Sequence, residues 1–90
     1  MLQTIAEEDH RLNVVYKKLM AAIPTAAQRE KLKVSQGAWL DWMSKEENAI
    51  REIQGNKTAL SCQIDIISSR TRQLEDMLSQ RENFYGSPNR

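Results

Sequence analysis

Glu7 and His10 stand three residues apart, a spacing that puts a carboxylate and an imidazole on one face of a helix, as the ligands of di-metal bundles are arranged. Such sites need a second pair and further carboxylates, and His10 is the single histidine of the chain. No metal or cofactor is therefore expected, and His10 reads as a solvated side chain. Cys62, the single cysteine, would need a histidine base or an electropositive pocket to act as a nucleophile, so it reads as a structural thiol. Nothing in the spacing of the acidic residues marks two of them as a desolvated acid and base sharing a cleft. The expectation is a protein that is not an enzyme.

The two tryptophans fall within Lys33-Val34-Ser35-Gln36-Gly37-Ala38-Trp39-Leu40-Asp41-Trp42. At about 100° per residue, Trp39 shares an apolar face with Leu32 and Met43 and reads as a packing residue. Trp42, about 300° further round, falls at the edge of that face, where a partly exposed indole could anchor a partner.

The surrounding sequence narrows the classes. Thirteen basic and twelve acidic residues give a net charge of +1, without the basic footprint or long charge runs of a nucleic-acid binder. No apolar run approaches the roughly 20 residues that span a bilayer, and Met1–His10 has neither the basic start nor the apolar stretch of a signal peptide. A lone cysteine excludes an internal disulfide. Ninety residues with 40% hydrophobic and 28% charged side chains, three glycines and two prolines suit a small soluble helical domain.

Three segments carry helical periodicity. Ile5, Leu12, Val15, Tyr16, Leu19 and Ile23 repeat along the first, with Glu7, Glu8 and Asp9 early and Lys17 and Lys18 late, an order that favours the helix dipole. Pro24 ends it, and Thr25-Ala26-Ala27-Gln28 has the form of a capping box for the second helix. That helix places Leu32, Gln36, Trp39, Met43, Ile50 and Ile53 on one face, until Gly55-Asn56-Lys57 interrupts it. Thr58 is positioned to cap a third, in which Leu60, Ile64, Ile67, Thr71, Leu74 and Leu78 form a seam. Short connections then predict an all-α, antiparallel up-down-up three-helix arrangement with helices over 2–23, 26–54 and 58–84. Residues 1–84 make a single domain and 85–90 a frayed tail. Long antiparallel helices can leave a face under-covered, so a homodimer is one expectation.

Asp9-His10-Arg11-Leu12-Asn13-Val14-Val15-Tyr16, then Leu32 and Ser35-Gln36-Gly37-Ala38-Trp39-Leu40, then Cys62 and Arg70-Thr71-Arg72-Gln73-Leu74 together resemble the LprI-type lysozyme-inhibitor family of small bacterial helical domains. The pattern is D-x-x-L-N-x-x-Y, L-x-x-x-Q-x-x-W-L, and a cysteine followed by R-T-x-x-L. It covers the chain from Asp9 to about Leu78. The resemblance implies that Asp9, Leu12, Asn13, Tyr16, Gln36, Trp39, Arg70, Thr71 and Leu74 set the structure of the bundle. Gln36 is then expected to meet Asp9, Asn13 or Tyr16 in a hydrogen-bonded cluster above Trp39. The chain departs from the family after Trp39, where Met43, Ser44 and Glu47 replace the usual arginine, aspartate and cysteine. The disulfide partner of Cys62 is thus missing.

The function implied is binding and inhibition of a lysozyme or other muramidase, without a catalytic residue or cofactor. The location implied is the periplasm or cell envelope, against a cytoplasmic relative that lost its bridges under reducing conditions. By analogy, a protruding element would occlude the enzyme's acidic cleft, and the turn with Asn56 and Lys57 is the candidate. Trp42 offers a second contact. The alternative reading of the long seams is a helical assembly module, with self-association as one form of it.

Overall fold

The computed structural model describes residues 4–86, with side chains described through residue 80. Three helices follow one another: α1 (Ile5–Ala22), α2 (Ala26–Gln54) and α3 (Asn56–Gly86). Both α1 and α2 pack against α3, which is the common partner of the bundle. The all-α up-down-up arrangement is thus the one expected, with differences at the helix ends.

α1 begins at Ile5 rather than at residue 2, because Thr4 is extended and caps it. The Glu7 amide donates to Thr4 Oγ1 and the Thr4 amide to Glu7 Oε1, both at 3.1 Å. Two otherwise orphaned N–H groups are satisfied this way, and Glu7 is committed to the cap. At the other end Ile23 turns extended (φ −82°, ψ 123°), as a residue before proline must to avoid the ring. Its carbonyl accepts from Arg29 Nη1 at 2.8 Å, tying the connection to the first turn of α2.

Thr25 caps α2 by accepting from the Gln28 amide at 3.1 Å. The return bond of a full capping box is absent there. α2 ends at Gly55, whose φ of 98° and ψ of 171° lie in a region essentially reserved for glycine. α3 starts at the very next residue. Thr58 is therefore not its cap: Asn56 and Lys57 already belong to the first turn, because a single glycine suffices to reverse the chain. α3 continues through Gly86, and residues 87–90 of the expected tail lie outside the described residues.

Helix lengths place the core at one end. The 18 residues of α1 span about 27 Å, against about 43 Å and 46 Å for the 29 and 31 residues of α2 and α3. Since α1 ends at the Pro24 connection, where α2 begins, it covers only the adjacent part of the α2–α3 pair. Leu12, Val15 and Leu19 of α1, with Ile23 just after it, meet Leu32, Ile67 and Leu74 in one buried cluster, with Tyr16, Trp39 and Met43 packed at its margin. Beyond α1, the last turns of α2 and the first of α3 form a two-helix arm in which only Ala59 is fully covered. Two residues expected on packing faces consequently emerge into solvent: Ile53 is 79% exposed and Leu60 46%. Their spacing is that of a seam, but no third helix reaches them.

Candidate functional site

The motif residues converge where all three helices run side by side. From α1, Leu12 is buried in the core and Tyr16 half-buried, while Asp9 and Asn13 are exposed. These four face Gln36 and Gly37 of α2 across a shallow groove. From α3, Thr71 and Leu74 are buried, and the Thr71 hydroxyl donates to the Ile67 carbonyl at 3.0 Å, closing its polarity onto its own helix.

Gln36 is buried, yet its hydrogen-bond partner is not on α1. Its Oε1 accepts from Arg70 Nε of α3 at 3.0 Å, and Asp9, Asn13 and Tyr16 make no hydrogen bond to it. The expected α1–α2 cluster is therefore replaced by an α2–α3 clasp. The physical reason lies in the packing: α2 sits against α3, which brings a long guanidinium to the amide, whereas α1 approaches α2 only across the groove.

Arg70 organises this face. Beyond Gln36, its Nη1 donates to Gln73 Oε1 at 3.0 Å and its Nη2 to Ser35 Oγ at 3.4 Å. Its Cζ lies 5.9 Å from the Trp39 ring centroid, within cation–π range. Partial burial lowers its pKa from the ordinary arginine value by desolvating the charged form. Trp39 is half-buried under it, and Trp42, one turn further along α2, is 48% exposed.

The two sets of proposed contact residues do not form one surface. Asn56 and Lys57 are exposed at the arm's tip, while Trp42 lies about 20 Å back along α2 at 1.5 Å per residue. Elsewhere, His10 is exposed and Cys62 is a half-buried free thiol. Among the described residues, no group of three or more His, Cys, Asp or Glu side chains is placed to hold a metal. At the position where the family's cysteine is expected, Glu47 pairs instead with Arg51.

Glu8 was not visible as a site residue. It sits on the core-facing side of α1 with a side chain 1% exposed; Arg11 Nη1 stands 3.7 Å from its Oε2, which has no hydrogen-bond partner. Its position four residues before Leu12 on the apolar stripe was the available signal.

The chain is a short all-α domain with L-N-x-x-Y on its first helix, Q-x-x-W on its second and R-T-x-x-L on its third. Residues 1–74 match the family model described as Lysozyme inhibitor LprI, and the chain belongs to that family. No curated protein and no solved structure matches it. No helix among the described residues is long and apolar enough to cross a membrane.

Proposed function

We propose that this chain is a non-catalytic binding domain that blocks a peptidoglycan-cleaving lysozyme in the cell envelope. The observation that carries this reading is the family match over residues 1–74, which includes all three helical motifs. The shape of the molecule supports an occlusion mechanism. The arm formed by α2 and α3 extends past α1 and is only two helices across, about 20 Å at 10–12 Å per helix. It ends in the tight Gly55 reversal.

Glycosidase clefts carry a pair of carboxyl groups, so a protruding cation is the complementary chemistry. Lys57 is exposed at the arm's tip, and the first N–H groups of α3 beside it add the positive end of a helix dipole. Asn56 contributes an amide that can donate to a carboxylate or a sugar hydroxyl. Trp42, far from the tip, would act as a separate contact along the helix face. Inhibition is tested by the rate at which muramidases of several classes clear a suspension of cell walls with and without the purified chain.

A second reading rests on Ile53 and Leu60, large apolar residues left exposed on the arm. They favour a helical assembly module in which two arms pair to bury them, and sedimentation of the chain over a range of concentrations distinguishes it.

A further inference from the structure

Among the described residues, four ion pairs form, Arg11–Glu8, Lys33–Glu30, Lys45–Asp41 and Arg51–Glu47, and neither Arg70 nor Asp65 takes part in any of them. Both nevertheless line one groove of about 370 Å³ between α2 and α3, together with Trp39 and Trp42. Arg70 is held there by three neutral acceptors, Gln36, Gln73 and Ser35. Of its five N–H groups these take three, leaving one on each terminal nitrogen, the number a fork-shaped carboxylate contact uses. A half-buried cation held in place by neutral acceptors and lacking a carboxylate is an anion site with part of its ordering cost already met.

The rest of the groove says which anion. Asp65 lies five residues before Arg70, about 7.5 Å along the axis of α3. An anion alone would be repelled by that carboxylate. A ligand carrying an N–H donor a few ångströms from its own carboxylate is accommodated by both groups at once. Trp42 lines the same groove and is 48% exposed, an apolar surface suited to an apolar side chain.

We propose that this groove binds the C-terminal end of a peptide chain: the terminal carboxylate on Arg70, the last side chain against Trp42, and a backbone N–H donated to Asp65. The site is separate from the arm's tip and does not depend on lysozyme binding. A carboxylate borne on a partner's acidic side chain fits less well, because it brings no backbone N–H at the spacing of a chain end.

Both tryptophans of the protein line the groove, so intrinsic fluorescence reports on it directly. The full chain is titrated with acetyl-Ala-Leu bearing a free carboxylate, with its amide, and with acetyl-Leu-Asp-amide, whose carboxylate is on a side chain. The free acid is expected to shift tryptophan emission saturably, with both amides about tenfold weaker or worse. Arg70→Gln should abolish the response and Asp65→Asn should weaken it, with far-UV circular dichroism unchanged. Should Arg70→Gln unfold the bundle, the acid–amide comparison on the wild type and Asp65→Asn still decide. Equal responses to acid and amide, or no saturation by about 10 mM, overturn the proposal. A response to acetyl-Leu-Asp-amide equal to that of the free acid overturns the assignment to a chain end.

Discussion

Arg70 Nε and Gln36 Oε1 meet at 3.0 Å, joining the second and third helices beside a cluster of buried aliphatic side chains. A buried amide oxygen left without this donor would carry its desolvation cost unrelieved. Gln36→Leu and Arg70→Met should each destabilise the protein, and the double variant should lose less than their sum. A coupling of about 1 kcal/mol is expected, since Arg70 is only half-buried. Additive losses in urea unfolding would show that the pair does not act as a unit.

The tryptophans should separate in stability. Trp39 packs at the margin of the core and under Arg70, whereas Trp42 stands largely free. Trp39→Ala should cost about 2–3 kcal/mol and Trp42→Ala less than about 1 kcal/mol. Equal losses in chemical denaturation would contradict this placement.

Gly37 and Gly55 should respond with opposite signs to alanine. Gly37 is helical and a Cβ there meets nothing within 4 Å, so Gly37→Ala should stabilise by about 0.5–1 kcal/mol through helix propensity. A Cβ at Gly55 also has room, but its φ of 98° is strained for an L side chain, and Gly55→Ala should cost about 1–3 kcal/mol. The shift of the thermal midpoint gives the sign in each case.

Glu8 offers the test of a buried carboxylate. Its Oε2 has no hydrogen-bond partner and only a 3.7 Å ion pair with the exposed Arg11, so Glu8→Leu, which keeps the volume and removes the buried carboxylate, should be neutral or stabilising by about 1–2 kcal/mol. Glu8→Ala should instead be destabilising, because it leaves a cavity. A large loss on Glu8→Leu, measured by urea midpoint, would mean that the carboxylate is held by a partner.

Much of the architecture could be read along the chain because the breaks are chemical. Pro24 forbids helix continuation, Thr25 supplies a cap, and Gly55 supplies a conformation other residues avoid. The burial of Leu12, Leu19, Leu32, Ile67 and Leu74 followed from periodicity alone. Periodicity failed at Ile53 and Leu60, since it reports which face a residue is on and not whether another helix is long enough to cover that face. Gln36 was paired with the wrong helix for a related reason. A buried amide demands a partner, but that requirement does not say which neighbour carries it, and Arg70 lies 34 residues away in the chain. Thr58 was misplaced as a cap because its chemistry suits the role, although Gly55 already reverses the chain in one residue.

The central claim, inhibition of a muramidase through the arm, is tested most directly by cell-wall clearing with wild-type chain and Lys57→Glu at low and high salt. Wild type should slow clearing by at least one class of muramidase. Lys57→Glu should be about three- to tenfold weaker at low salt, and the difference should shrink as salt shortens screening to a few ångströms. Its fold should be unaffected, since an exposed substitution of this kind changes stability by less than about 0.5 kcal/mol. If the wild-type chain leaves every muramidase at its full rate, the inhibitor account is contradicted; if inhibition survives Lys57→Glu undiminished, insertion of the arm's tip is contradicted.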